Sequence, residues 1–210
     1  MDFRRPLQVV GPTLDGDVLT VLARAEEGFS GRRIHRLLGH GSEQGVRKAA
    51  ERLVDQGVVL RHQVGRAKVY RLNRNHLAAP HIEGLAALRD ELLEQLRAAI
   101  AGWEVSPRLA LLFGSVARGE AATGSDLDLF LVRRADVAEE LPAWAEQLAA
   151  LEWSATEWTG NDARVIEFGE EELFGEDLKG IVGNALSEGI DLYGSRRRFR
   201  SSLSKRKRNE

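Results

Sequence analysis

Leu109-Ala110-Leu111-Leu112-Phe113 runs directly into Gly114-Ser115-Val116-Ala117-Arg118-Gly119, and ten residues after Ser115 comes Ser125-Asp126-Leu127-Asp128-Leu129-Phe130-Leu131-Val132. Five consecutive apolar residues form a buried strand, and a glycine–serine pair at the turn that follows lets backbone N–H groups approach an anion closely. In the second run a period of two puts Asp126 and Asp128 on one face, their Cβ atoms about 7 Å apart, with Leu127, Leu129 and Leu131 on the other. Two like charges at the start of an apolar strand raise each other's pKa and resist burial. A divalent cation removes that conflict; the alternative is a solvated strand end whose aspartates cap a turn. With no cysteine in the chain and no compact histidine cluster, hard oxygen ligands favour Mg²⁺ or Mn²⁺ over zinc.

The whole stretch GSVARGEAATGSDLDLFLV, residues 114–132, resembles the signature of the DNA polymerase beta-like nucleotidyltransferases. It is most similar to their minimal prokaryotic members, which show GSxARGxAxxxSDxDL. Gly114, Ser115, Ala117, Arg118, Gly119, Ala121, Ser125, Asp126, Asp128 and Leu129 carry the match, and a weaker resemblance extends over residues 109–194. The resemblance implies a mixed sheet flanked by helices. It implies that Gly114 and Ser115 bind the phosphates of ATP or another nucleoside triphosphate; Ser125 is a further candidate for nucleotide binding, and Arg118 either touches phosphate or caps the turn. It also implies that Asp126 and Asp128 hold the metal ions of a phosphoryl-transfer site, in which positioning and charge neutralisation do most of the catalysis.

In that family a third carboxylate, ligand and base, comes from a later strand. Leu141, Trp144, Leu148, Leu151, Ala155 and Trp158 recur at three- and four-residue steps, so residues 139–158 are expected to be a helix stopped by Gly160 and Asn161. The next strand, Ala163 to Phe168, has Arg164, Ile166 and Phe168 on one face and Val165 and Glu167 on the other. Glu167 is the candidate for the third catalytic and metal-binding carboxylate, although the family more often has aspartate there; the alternative is an exposed strand glutamate. Trp144 and Trp158 lie on the helix's apolar stripe and read as core, not as base-stacking platforms.

Upstream, Leu14, Val18, Leu19, Val21 and Leu22 mark a first helix. Ser30 caps a second, with Ile34, Leu37 and Leu38 inward. Ser42 caps a third, with Val46, Ala49, Ala50, Leu53 and Val54 inward, and Gly57 ends it. Two β-like runs follow, 58–63 and 67–72, joined through Gly65. This order resembles the winged helix-turn-helix family over residues 13–72, in which the third helix enters the major groove. On its outer face Ser42, Gln44, Arg47 and Lys48 are candidates for DNA contact. Gln44 and Arg47 are able to read base edges, and Lys48, Arg61, Arg66 and Lys68 suit phosphates. The alternative is an ordinary solvated face, or a protein-docking or dimerisation module.

The chain is 210 residues long and 43% hydrophobic, enough for a real core in one large or two small domains. Its formal charge of −2 hides a block structure. Residues 1–80 carry 14 basic and 8 acidic side chains, residues 81–195 carry 8 and 23, and residues 196–210 carry 8 and 1. No run reaches the length of a membrane span and the N-terminus has no signal-peptide core, so a cytoplasmic protein is expected. The organisation expected is a winged helix over 1–76, a nucleotidyltransferase domain of α+β class over 77–195, with one helix over 81–101, and a basic disordered tail over 196–210.

The function expected is metal-dependent transfer of a nucleoside monophosphate, AMP from ATP, to a hydroxyl acceptor. It would be coupled to DNA binding and placed by the resemblance among toxin–antitoxin components, with a toxin protein as partner. A symmetric dimer is the usual way for a winged helix to read a palindromic site. The alternative is a winged-helix regulator whose transferase-like domain is inactive and serves nucleotide sensing, dimerisation or toxin binding.

Overall fold

A computed structural model describes residues 1–122, 124–174 and 179–206. The chain divides into two compact units, one of Asp2 with Arg4–Arg89 and the other of Met1 and Phe3 with Asp90–Glu210.

In the unit nearer the N-terminus, α1 (Leu14–Ala23) is followed by the short β1 (Phe29–Ser30), α2 (Gly31–Leu38) and α3 (Glu43–Asp55). The antiparallel pair β2 (Val59–Val64) and β3 (Ala67–Leu72) comes next, then α4 (Ala79–Ala86). The hydroxyls of Thr13, Ser30 and Ser42 accept backbone N–H groups of Gly16, Arg33 and Gly45 at the three helix starts, which satisfies donors the helices leave open. β3 lies between β1 and β2, and Gly65, at φ +58°, makes the tight turn between β2 and β3. Val18, Leu22, Ile34, Val46, Leu53 and Tyr70 form the core.

Ala79, Ile82 and Ala86 of α4 are buried in that same core. The polar stretch expected to separate the domains at 76/77 is instead bonded inward: Asn73 donates to Gly57 O at 2.8 Å and Arg74 reaches Glu83 at 2.9 Å. The division falls after Arg89, because α4 has its apolar side on the first core. The single helix expected over residues 81–101 is two, broken at Ala87 (φ −95°, ψ 4°).

The other unit is a mixed α+β fold. It contains α5 (Leu88–Ala101), whose first two residues precede the division, β4 (Leu109–Phe113), α6 (Gly114–Arg118), β5 (Leu127–Arg133), α7 (Pro142–Thr159), β6 (Ala163–Gly169), α8 (Lys179–Glu188), β7 (Ile190–Tyr193) and α9 (Arg196–Arg206). The sheet order is β6-β5-β4-β7, with β5 and β6 parallel and the other neighbours antiparallel. The sheet is buried on both faces, which explains the unbroken apolar runs of β4 and β5. Leu127, Leu129 and Leu131 pack with Leu96, Ile100, Trp144 and Ala155 on one face. Phe130, Val132, Ile166 and Phe168 pack with Val182, Leu186 and Phe199 on the other.

Helix α7 begins at Pro142, whose fixed φ suits the first turn, and not at Glu139. Trp144 is buried against Trp103, edge to face at 5.6 Å, whereas Trp158 is 39% exposed and does not belong to the core. The tail expected to be disordered from residue 196 is helical through Arg206. Phe199 and Leu203, four residues apart, supply an apolar stripe that docks on the sheet. Residues 207–210 lie outside the described part. Among the described residues no helix is long and apolar enough to cross a membrane.

Candidate active site

The end of β4 turns into α6 at Gly114, which has φ +72°, a left-handed conformation that costs an L side chain about 1–2 kcal/mol. A Cβ at this position would collide with Asp128 Oδ2, so the turn and the carboxylate approach as closely as they do only because residue 114 is glycine. Phe113 and Asp128 are cross-strand partners, which brings the end of β4 and the start of β5 together. Gly119, at φ +72°, caps α6, and Glu120 N donates to Ser115 O at 2.8 Å.

Asp126 and Asp128 share a face at the start of β5. Burial, then the charge of Asp126, hold the Asp128 carboxyl above the usual carboxylate range, while Arg164 and Arg118 pull the other way. Among the described residues Asp128 has no hydrogen-bond or ion-pair partner. Asp126 is paired with Arg164 at 3.1 Å.

The loop that presents these aspartates is held by groups whose role the sequence did not announce. Ser125 Oγ accepts the backbone N–H of Ala122 at 2.9 Å, so in this structure the hydroxyl closes a turn and is not held out towards a nucleotide. Asn161, 1% exposed, donates to Ser125 O at 2.7 Å and accepts the N-terminal ammonium of Met1 on its own Oδ1. From sequence it reads only as part of a helix stop. Arg118, expected at a phosphate, is gripped by Glu120 at 2.7 Å and Glu188 at 2.6 Å.

Glu167 does not join the aspartates. In the parallel register of β5 and β6, Asp128 faces Arg164 and Leu131 faces Glu167. Glu167 therefore lies on the sheet face of Leu129, Leu131 and Val165, opposite to Asp128. There its carboxylate takes Arg133 Nε at 2.8 Å, and Arg133 also donates to Val137 O at 2.7 Å. Its part is structural, and the position next to Asp128 is occupied by an arginine. Among the described residues no three His, Asp or Glu side chains gather where they could hold a metal ion.

The donor set nevertheless fits one hard cation. Mg²⁺ is commonly bound by one or two carboxylates with substrate phosphates completing its shell, and Asp126 with Asp128 beside the Gly114 turn provides that arrangement. It does not fit a pair of ions caged by three carboxylates.

On the outer face of α3, Glu51 collects Arg61 at 2.6 Å, Lys68 at 2.8 Å and Tyr70 Oη at 2.9 Å. Its carboxyl is drawn down to about 2, chiefly by the Lys68 hydrogen bond. Two of the cations assigned to phosphates are thus engaged within the protein. Ser42 is used as a helix cap, and Gln44, Arg47 and Lys48 line the depression beside Glu51.

A family model described as a nucleotidyltransferase domain matches residues 91–182, which contain the Gly114 turn, both aspartates and Arg164. No curated protein matches the chain. Among solved structures, a toxin–antitoxin complex with AMP-PNP is 17% identical with a TM-score of 0.37, over 56% of this chain and 82% of that one. A mutant of the MntA–HpeT toxin–antitoxin pair is 15% identical at the same TM-score and coverage. A tri-AMPylated HEPN toxin of Shewanella oneidensis in complex with its MNT antitoxin is 12% identical, with a TM-score of 0.36, over 58% of this chain and 91% of that one.

Proposed function

We propose that the unit containing residues 91–182 is a metal-dependent nucleotidyltransferase that transfers AMP from ATP to a hydroxyl acceptor, and that the first unit is a winged helix that carries it to DNA. The observation that supports the enzyme most directly is the close approach of Asp128 to the turn at Gly114, with Asp126 on the same face. Asp126 and Asp128 would hold Mg²⁺ or Mn²⁺, and the bound ion would neutralise the triphosphate and polarise the phosphorus under attack. The chain's own part is to fix the phosphates at the Gly114–Ser115 turn. Burial and the charge of Asp126 hold the Asp128 carboxyl above the usual carboxylate range, and a bound cation would favour its ionised form. Arg118 would have to leave Glu120 and Glu188 to reach phosphate.

The order of three helices and a β-hairpin supports the winged-helix assignment, and Gln44, Arg47, Lys48 and Arg66 are the side chains proposed to meet DNA. Arg61 and Lys68 would add to the positive field only after Glu51 yields them. The motif's resemblance to minimal nucleotidyltransferases makes a toxin protein the acceptor to try first.

The test is incubation of the purified chain with Mg²⁺, α-labelled ATP and a panel of acceptors: the product of the adjacent gene, nucleic acids and small alcohols. Label transfer that disappears in Asp126→Ala supports the enzyme. No transfer together with unchanged ATP binding in that variant refutes it. For DNA, retention of duplex at low salt that weakens steeply with added salt and is lost in an Arg47→Ala, Arg66→Ala double variant supports the interface; no retention refutes it.

A second reading, a DNA-binding regulator with an inactive transferase-like unit, is favoured by one observation. An arginine, not a third carboxylate, faces Asp128 across the strands.

A further inference from the structure

The position of β6 that faces Asp128 is Arg164. Its guanidinium lies between two carboxylates, with Nη1 3.1 Å from Asp126 and Nη2 2.9 Å from Asp162. Nε also reaches Asp162, at 3.0 Å. Further along the same face β6 presents Ile166 and Phe168, both partly buried against the core, and its one glutamate, Glu167, is held by Arg133 on the other face. No acidic side chain of β6 can complete a cage for two ions. A permanent positive charge stands beside Asp126, at the strand position that faces Asp128.

We propose that Arg164 is the second cation of this site: the site takes one divalent ion at Asp126 and Asp128, and the Arg164 guanidinium supplies the remaining positive charge to the nucleotide's phosphates. The inference deepens the nucleotidyltransferase reading and rests on it. Its physical basis is threefold. A guanidinium is planar, always charged, and presents a fork of N–H donors matched to two phosphate oxygens. Arg164 is 61% exposed, so it is free to meet a ligand from the solvent side. Its present partners are themselves exposed, Asp162 at 62% and Asp126 at 39%, and pairs of that kind hold weakly enough to be exchanged for a triphosphate. When Asp126 takes up a divalent ion, Arg164 Nη1 loses that partner and turns towards the phosphates, and the triphosphate then displaces the exposed Asp162 from Nε and Nη2. The arginine is then a binding and charge-neutralising residue of the site, and the chain works with half the metal that a three-carboxylate site collects.

The experiment counts ions. The full chain is saturated with a non-hydrolysable ATP analogue and titrated with Mn²⁺, and bound Mn²⁺ is followed by electron paramagnetic resonance. The wild type is expected to bind one Mn²⁺ per chain, with no spin coupling between ions. Arg164→Asp is expected to bind two, about 3.5–4 Å apart as in two-metal sites and therefore spin-coupled. Arg164→Ala is expected to bind one Mn²⁺ with analogue affinity reduced about tenfold or more, the loss of a charge-assisted contact, and Arg164→Lys to recover part of it. Circular dichroism of each variant checks that its fold is kept.

Two coupled Mn²⁺ ions in the wild type would overturn the inference and leave the nucleotidyltransferase reading standing. Unchanged analogue affinity in Arg164→Ala would do the same. Failure of the wild type to bind analogue and Mn²⁺ at all would overturn the reading itself, and this inference with it.

Discussion

Gly114→Ala tests the geometry on which the active-site assignment rests. Two costs can be separated. An alanine held at φ +72° costs about 1–2 kcal/mol because its Cβ crowds the following carbonyl. The new Cβ also meets Asp128 Oδ2, which forces that carboxylate off its rotamer at about 0.5–1.5 kcal/mol. Together the variant should lose about 1.5–3.5 kcal/mol. In an Asp128→Ala background the first cost remains and the second vanishes, so the same glycine replacement should cost about 1–2 kcal/mol. The difference between backgrounds is the interaction energy of the pair. All four tryptophans lie between residues 103 and 158, so intrinsic fluorescence during urea unfolding reports on this unit by itself. Equal costs in the two backgrounds would refute the close approach, and a loss below about 0.5 kcal/mol, the size of an ordinary surface change, would refute the strained turn.

Glu167→Gln should leave Mn²⁺ and nucleotide binding unchanged, measured by titration calorimetry, because residue 167 sits on the sheet face away from Asp128; a large loss of metal affinity would return it to the site. Arg133→Met, by contrast, should lower stability by about 3 kcal/mol in urea titrations, since it strands a mostly buried carboxylate, and a neutral result would show the pair to be idle. Phe199→Ala should cost about 3–5 kcal/mol and lower the melting temperature by several degrees; an unchanged melting curve would mean that α9 does not dock. Glu51 has a folded-state pKa of about 2, below its ordinary value. Its stabilisation is therefore full above about pH 4.5 and lost as pH falls through about 2. The linkage limit at 1.36 kcal/mol per pH unit shrinks to about 1 kcal/mol for a partly exposed group. Wild type but not Glu51→Gln should show this loss between about pH 5 and pH 2 in urea midpoints. The same variant should bind duplex DNA more tightly, by freeing Arg61 and Lys68, and weaker binding would show that Glu51 itself faces the DNA.

What could be read from sequence here depended on whether the information was local. Strand, turn and strand around Gly114 were legible because an apolar run, a glycine and a period-two pair of aspartates are each short-range signals. The face of Asp128 was legible for the same reason, and so was the fact that Arg164, Ile166 and Phe168 share a face. What no local pattern holds is the register between β5 and β6, and a shift of one residue exchanges the two faces. That register decides between Arg164 and Glu167, and it gave the place to the arginine. The tail misled in another way. Eight basic residues in its last fifteen dominate the composition, yet two apolar residues at helical spacing, Phe199 and Leu203, suffice to dock the helix once a sheet face is there to receive them. The division after Arg89 escaped notice because the apolar side of α4 continues the rhythm of α5 while packing in a different core.

The charge distribution acquires a sharper meaning once partners are assigned. From sequence, the acidic excess of residues 81–195 invites the view that the whole unit waits for cations. The structure shows how far that excess is balanced internally. Every arginine from 108 to 164 is committed to carboxylates: Arg108 to Glu170, Arg118 to Glu120 and Glu188, Arg133 to Glu167 and Glu139, Arg134 to Asp136, and Arg164 to Asp162 and Asp126. Among the described residues Asp128 alone of the Asp-x-Asp pair has no such partner, and burial and its neighbour's charge hold its carboxyl above the usual carboxylate range. A general excess of negative charge would attract ions weakly and anywhere on the surface, whereas the site proposed here would draw a single ion to one place, the unpaired carboxylate beside the Gly114 turn. On the proposed reading the acidic block as a whole is not the metal site, and the chemistry contracts to Asp128, the aspartate beside it, and the arginine across the strand.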